Sequence, residues 1–369
     1  MRELVIDLGA VVHNLDVMRS RAGGAMVMGV VKANAYGHGM IEVAKALEAA
    51  GVDYLGVADN EEAIALREAG ITAPVLSWLH HPEDDFKAAI TAGIDLGLSS
   101  TDQLERAADA ARSLGSVASV HLKVDTGLGR NGAPQADWHQ VFKLAAQLQT
   151  DGLIDVVGMF THLSSTSEHD DMAQIGKFEA AVGDAREAGL SPRIRHLTAS
   201  DGSLSYPDAH YEMIRVGAAL YGLDPFSANR SGEWGLRAVM TAKSAVVQVK
   251  QVDAGQGVSY GYLHKTERAT NLALVPVGYA EGLPRDATRH VRVLLNNRLY
   301  PILARIAMDQ FVLDVGDDLV EVGDEVVLFG DPRTGASSVD DFAAACSTIN
   351  YEIVTRMGGR FKRVYVGGE

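Results

Sequence analysis

Cysteine is almost missing from this chain: 369 residues carry one, Cys346, which has no partner in its own sequence, so no disulfide framework can hold the fold. No apolar stretch of signal-peptide type follows Met1-Arg2-Glu3, and no uninterrupted run approaches the ~20 residues that a membrane-crossing helix needs. These absences predict a cytoplasmic protein without a membrane partner. Cations are also short, 33 Lys and Arg against 48 Asp and Glu, and the resulting net charge of -15 repels phosphate backbones and anionic lipid. Nucleic acid is therefore excluded as the main partner. Aromatics are sparse at 6%, yet 47% of the residues are hydrophobic, enough at this length to bury the cores of two domains. Low-complexity linkers are absent too, as is any Gly-x-Gly-x-x-Gly fingerprint after an early strand.

What is present is a rhythm. Apolar, strand-like runs recur near residues 26–32, 54–58, 73–77, 94–98, 119–125, 154–161, 194–198 and 213–217. Amphipathic stretches such as 42–50, 61–69, 102–114 and 174–188 lie between them, many closed by Gly as helices often are. Eight such alternations predict an α/β fold, an N-terminal (β/α)8 TIM-like barrel. A doubly wound open sheet shares the rhythm, but the lack of that glycine fingerprint after an early strand weighs against it. From about Gly235 short β-branched runs and Gly, Asp and Asn turns take over, interrupted by one helix over Val339–Cys346. The expected organisation is a barrel over 1–236 and a mainly antiparallel β domain over 237–369, with residues 1–9 available to pair with the second domain.

The polar residues of interest sit where the predicted strands end. Lys32 closes the apolar run Met26–Val31 and opens a glycine-bearing loop, at the barrel edge where active sites are built. A strand-end lysine ordinarily snorkels to water; half buried, it becomes an amine nucleophile able to form an imine with a carbonyl cofactor. Lys123 lies inside the fifth predicted strand, and Arg130 in the Gly-rich turn beyond it, where Asp125 and Thr126 are ordinary turn formers. His162 ends the sixth strand. Arg215, inside the eighth, needs a partner, because an arginine in an apolar strand is otherwise costly to desolvate. Phosphate is commonly held near the last strands of a barrel, and Ser200 with the backbone N–H groups of Gly217 and Ala218 fits that place. Alone, Ser200 reads equally well as a helix N-cap, Tyr260 as a turn residue and Met308 as core.

The decapeptide Val30-Val31-Lys32-Ala33-Asn34-Ala35-Tyr36-Gly37-His38-Gly39 resembles the cofactor-attachment motif of the alanine racemase family. Lys123–Gly132, Met213–Gly222, Gly257–Gly261 and Arg305–Gln310 are similar to the family's other signatures, so the resemblance spans nearly the whole chain. It implies pyridoxal 5′-phosphate bound in the barrel as an imine of Lys32, with Tyr36 and Tyr351 reaching the phosphate and Arg215 donating to the ring nitrogen. Arginine keeps its proton, so the ring becomes a weaker electron sink, which suppresses transamination. Arg130 and Met308 are placed beside the substrate carboxylate, and Lys123 corresponds to a lysine that is carbamylated in relatives. Tyr260 is implied to enter the active site of the partner in a homodimer as the second base, with His162, linked to Arg215, acting on it. The implied activity is two-base interconversion of L-alanine and D-alanine, supplying D-alanine for peptidoglycan.

Alternatives remain at this point: a racemase of the same architecture with a broader or serine-directed substrate range, a related decarboxylase, and a cofactor-carrying barrel without catalysis. Arg215 counts against the decarboxylase, where a carboxylate takes that role. The motifs after residue 235 count against the bare barrel. Glu281 stands where Asp is commoner in the family, Ala307 where Cys or Ser is frequent, and Leu163–Ser167 lacks an acidic residue, which bears on the charge of the substrate channel.

Overall fold

The computed structural model describes residues 2–226 and 231–368. The chain divides into two compact units, one formed by Leu15–Ala33 and Ala44–Gly217, the other by Met1–Asn14, Asn34–Val43 and Ala218–Glu369. The opening strand β1 (Glu3–Asp7) belongs to the second of these.

The first unit is a β/α barrel. Its strands are β2 (Met26–Val30), β3 (Tyr54–Val57), β4 (Val75–Ser77), β5 (Asp95–Leu98), β6 (Ala118–Lys123), β7 (Ile154–Phe160), β8 (Ile194–His196) and β9 (Met213–Val216). All are parallel, in the order β8-β7-β6-β5-β4-β3-β2-β9. The Arg215 N–H donates to the carbonyl of Thr198, just past β8, at 3.0 Å and joins the two ends of the order. Both faces of these strands are covered, so they read as continuous apolar runs rather than alternations. Helices start where a short polar side chain takes an orphan N–H: Asp59 bonds Glu62, Ser100 bonds Gln103 and Ser167 bonds Asp170. Alternate strands β3, β5 and β7 carry Gly56, Gly97 and Gly158, and a Cβ at any of them would collide with Trp78, Phe160 or His121. The glycines make room for large side chains inside the barrel, the small-against-large layering that lets a barrel interior close-pack.

The second unit is built on β10 (Met240–Ala245), β11 (Gln248–Val252), β12 (Gly257–Val258), β13 (His264–Lys265), β14 (Thr270–Val275), β15 (Arg292–Leu295), β16 (Arg298–Pro301), β17 (Phe311–Gly316), β18 (Glu325–Phe329) and β19 (Lys362–Val366). Six strands form one sheet in the order β16-β15-β18-β10-β1-β19, and β11-β14-β17 form a second. β1 runs antiparallel to β10 and parallel to β19, the single parallel pair of an otherwise antiparallel sheet. Two helices sit here, Val339–Ala345 and Asn350–Arg356, where the sequence pattern suggests one. The second is rich in β-branched residues, Ile353, Val354 and Thr355, which disfavour a helix on propensity alone. Burial of Asn350, whose amide donates to the carbonyl of Asp224 at 2.8 Å, anchors its start. Among the described residues no helix is long and apolar enough to cross a membrane.

Candidate active site

β2 ends at Val30, and Lys32 follows at the C-terminal edge of the barrel strands. The next residues do not form the open loop that their two glycines suggest. Ala33, Asn34, Ala35 and Tyr36 all have φ between 52° and 54°, so the chain makes a helical turn of left-handed sense, relaxed at Gly37 and Gly39 with φ of 84° and 104°. Such a conformation costs a residue with a side chain about 1–2 kcal/mol each, so it survives only where its surroundings impose it. The fixings are visible. The His38 N–H donates to Ala35 O at 3.0 Å, Gly39 N–H to Asn34 O at 2.9 Å, and the Asn34 side-chain oxygen accepts from Met40 N–H at 2.9 Å. On the barrel side, the Glu62 carboxylate accepts from the N–H groups of Ala33 at 2.6 Å and Ala58 at 2.9 Å. Strain of this kind is concentrated in the residues that directly follow Lys32.

Lys32 lies in the barrel unit with Lys123, Arg130, His162, Ser200, Arg215 and Gly217. Burial pushes its amine below the ordinary lysine value, and the charge of Arg130 adds to the effect more than that of Arg215. Lys123, only 7% exposed at the end of β6, is driven down to about 7, first by burial and then by Arg215, Arg130 and Lys32. Both amines face aromatic rings, Lys32 Nζ 5.9 Å from the centre of Trp78 and Lys123 Nζ 5.3 Å from that of Phe160. The turn carrying Arg130 is shaped by Asp125, whose carboxylate accepts from Gly127 and Gly129 N–H groups at 2.9 and 3.0 Å. Thr126 is buried and pairs its hydroxyl with that of Thr161 at 3.0 Å, so it joins the turn to β7 rather than facing water.

Arg215 is the centre of the cluster. It is buried, lowered by that burial to about 10, and still cationic at neutral pH. Its guanidinium donates to the carbonyls of Thr161 at 2.8 Å and Leu197 at 3.1 Å, to His162 Nδ1 at 3.0 Å and to His196 Nδ1 at 3.2 Å. All four acceptors are neutral, since burial and neighbouring cations hold both imidazoles well below their usual range. A buried guanidinium with neutral partners only is suited to an electron-rich ligand. Close to it, the Ser200 hydroxyl accepts from the Gly217 N–H at 3.1 Å. The N-cap position before helix Ser200–Ser205 falls to Ala199, which caps nothing with its side chain. A buried amine whose charge is disfavoured, the Ser200 hydroxyl beside β9 and a buried arginine are chemically suited to a phosphorylated aromatic aldehyde.

Tyr36, Ala218, Tyr260, Met308 and Tyr351 belong to the second unit. There the Tyr36 ring packs 4.9 Å from Tyr221 and 5.9 Å from Tyr351. Tyr260 stands 69% exposed and Met308 54% exposed. The Tyr260 turn is bent by positive φ at Ser259 and Gly261, and the Ser259 hydroxyl donates to Arg305 O at 2.6 Å, tying it to the segment that carries Met308. Glu281 proves to be more than a loop variant. It is completely buried, accepts from Gly278 N–H at 2.9 Å and pairs with Arg360, which also reaches Asp309 at 2.7 Å. Ala280 N–H in turn donates to Met308 O at 2.9 Å, so this carboxylate sets where the Met308 backbone lies.

Several residues of the site carry no sequence signal of their own. His38 is fully buried, stacks 4.5 Å from Tyr221 and turns Nδ1 to the carbonyls of Ala35 and Tyr36, stapling the left-handed turn. Trp78, Phe160 and His196 lie directly against the cations Lys32, Lys123 and Arg215. Only their positions at the ends of β4, β7 and β8 mark them, and core packing accounts for such residues just as readily.

A β/α barrel with a depressed lysine among arginines at its strand ends, followed by an antiparallel β domain, defines a two-domain barrel enzyme. Residues 6–225 match the model of the alanine racemase N-terminal domain, and residues 239–365 that of the C-terminal domain. The alanine racemase of Frankia casuarinae is 48% identical over 98% of this chain and 95% of its own, and that of Thermobifida fusca 46% identical over 99% and 98%. The crystal structure of alanine racemase from Streptomyces lavendulae superposes with a TM-score of 0.97 at 41% identity, covering 100% of this chain and 97% of that one. The chain belongs to the alanine racemase family and is an isomerase.

Proposed function

We propose that the protein interconverts L-alanine and D-alanine with pyridoxal 5′-phosphate, using two bases on opposite faces of the α-carbon. Lys32 would hold the cofactor covalently; Ser200, Gly217, Ala218, Tyr36 and Tyr351 would hold its phosphate; Arg215 would face the ring nitrogen. When bound, the cofactor supplies the delocalisation that acidifies the α-hydrogen. Lys32, with its neutral amine favoured by burial and by Arg130, takes and returns a proton on one face. The Tyr260 phenol of a second copy serves the other face. Arg215 can donate but not give up its proton, so it leaves the ring nitrogen unprotonated and favours return of the proton to carbon. It also fixes His162 with Nδ1 as acceptor, leaving Nε2–H as the donor for the opposite base. Arg130 and the Met308 backbone receive the substrate carboxylate.

The setting of Lys123 suits a modification that accords with this reading. An amine lowered to about 7 has, at neutral pH, a substantial share of the free base that adds to carbon dioxide, forming a carbamate and releasing a proton. The product is an anion that would brace Arg130. The second copy is supported by the exposure of Tyr260 and Tyr262, 69% and 61%, aromatic side chains that a homodimer would cover. In this reading the D-alanine serves peptidoglycan synthesis in the cytoplasm.

The observation that carries the proposal is the gathering of Lys32, Lys123 and Arg130 around Arg215, a buried cation whose bonding partners are all neutral. The experiment is to incubate the protein with pyridoxal 5′-phosphate and L-alanine, with L-serine in parallel, and follow both hands by chiral chromatography. Racemisation of alanine, lost in Lys32→Ala, is expected. Borohydride treatment and peptide mapping should place the reduced cofactor on Lys32; a label elsewhere, or no D-alanine, overturns the proposal.

A further inference from the structure

Behind Arg215, four polar side chains continue a line through the barrel unit, ending at the opposite end of the strands from Lys32. Arg215 reaches His196 Nδ1 at 3.2 Å; His196 Nε2 reaches His121 Nδ1 at 2.9 Å; His121 Nε2 lies 3.5 Å from the Asp95 carboxylate; and the Tyr54 hydroxyl donates to Asp95. His121 and His196 are completely buried. Asp95 and Tyr54 open β5 and β3, whereas His196 closes β8 and Arg215 lies in β9.

The line has only one possible sense. Arginine has no acceptor, so His196 Nδ1 must offer its lone pair. A neutral His196 then carries its hydrogen on Nε2 and donates to His121 Nδ1. His121 is thereby left with its hydrogen on Nε2, facing Asp95. From Arg215 to Asp95 each hydrogen points away from Arg215, Tyr54 donates to Asp95 from the far side, and His121 and Tyr54 keep that carboxylate ionised against the penalty of burial. The surroundings are shaped for these rings. Phe160 stacks on His196 at 4.6 Å and 6°, and a Cβ at Gly158 would lie 2.2 Å from His121 Nδ1.

We propose that Asp95 and His121 are positioning residues for the reaction: through His196 they lock Arg215 as a donor of fixed direction and so hold the balance between racemisation and transamination. The proposal rests on Arg215 facing the cofactor's ring nitrogen. If the anchor is removed, His196 can turn its hydrogen onto Nδ1. Two donors then oppose each other, and Arg215 must shift. With the ring nitrogen released, more of the alanine leaves as pyruvate, its amino group staying on the cofactor and water supplying the oxygen.

The test uses Asp95→Asn, His121→Leu and Gly158→Ala, the last displacing the His121 ring without deleting any polar group. In the cofactor-free wild type, long-range proton–nitrogen NMR should find both His196 and His121 protonated on Nε2 alone, and the variants should lose this pattern at His196. In loaded enzyme the variants should form about tenfold more pyruvate per racemisation and lose about tenfold in kcat with KM nearly unchanged. A wild-type His196 carrying its hydrogen on Nδ1, or folded variants with an unaltered pyruvate ratio, overturns the proposal. Absence of racemisation in the wild type would instead remove the cofactor reading, while the nitrogen spectra still decide the tautomers.

Discussion

Lys123 is a cation held among cations, and its protonation is therefore coupled to folding. In the unfolded chain it binds a proton up to about its ordinary value; folded, it releases that proton near 7. Between those values the unfolded state binds more protons, so stability must rise with pH, and Lys32 contributes with the same sign. Above pH ~10 tyrosines desolvated by the fold, Tyr54 and Tyr211 among them, hold their protons more tightly than the unfolded chain and reverse the slope. Urea midpoints of cofactor-free protein in buffer freed of carbon dioxide should thus rise from pH 7 to pH ~9, and Lys123→Met should flatten the rise. Adding carbon-13 bicarbonate should produce a carbamate signal in the wild type and none in Lys123→Met. At this scale the sequence is legible where a charged residue interrupts an apolar strand, as Lys32, Lys123 and Arg215 do. It is silent on His38, Phe160, His121 and His196, whose types and settings match ordinary core and whose value comes from partners distant in the chain.

Among elements, the strands of the barrel are readable because burial on both faces produces unbroken apolar runs. The left-handed turn after Lys32 is not, because Ala33, Ala35 and Tyr36 have no intrinsic preference for positive φ. Asn34, Gly37 and Gly39 hint at it only in retrospect. Ala33→Gly relieves one strained, exposed position and should stabilise the protein by about 0.5–1 kcal/mol, after allowing for glycine's greater unfolded freedom. Gly37→Ala should do the opposite by about 1–3 kcal/mol, since its Cβ would lie 2.4 Å from the carbonyl oxygen of Val354. Paired urea titrations with equal m-values check both; an unchanged midpoint in each would mean the turn stores nothing.

At the scale of the whole molecule, the proposed partnership between copies has an arithmetic consequence. If each site takes Lys32 from one chain and Tyr260 from the other, inactive Lys32→Ala and Tyr260→Phe chains together rebuild one complete site per mixed pair. Random mixing makes half the pairs mixed, each with one good site of two, so activity should return to about a quarter of wild type. Co-expression and a racemisation assay measure it, and a mixture as inactive as its parents would place both residues in one chain's site. Composition suggests a change of architecture near residue 236, whereas the compact units cut the chain after Asn14, Ala33, Val43 and Gly217. Those cuts follow from pairings between remote residues, which no local pattern encodes.

Strand β1 has a neighbour on each side, residues 240–243 and residues 362–366, and the ribosome makes neither until long after it. At about 5–20 residues per second, the first strand waits on the order of tens of seconds for the last. The barrel strands complete their order at residue 216, so that unit can assemble while β1 is still unpaired. Glu3 and Asp7, which flank its apolar centre, are then the guards of an open edge on the nascent chain.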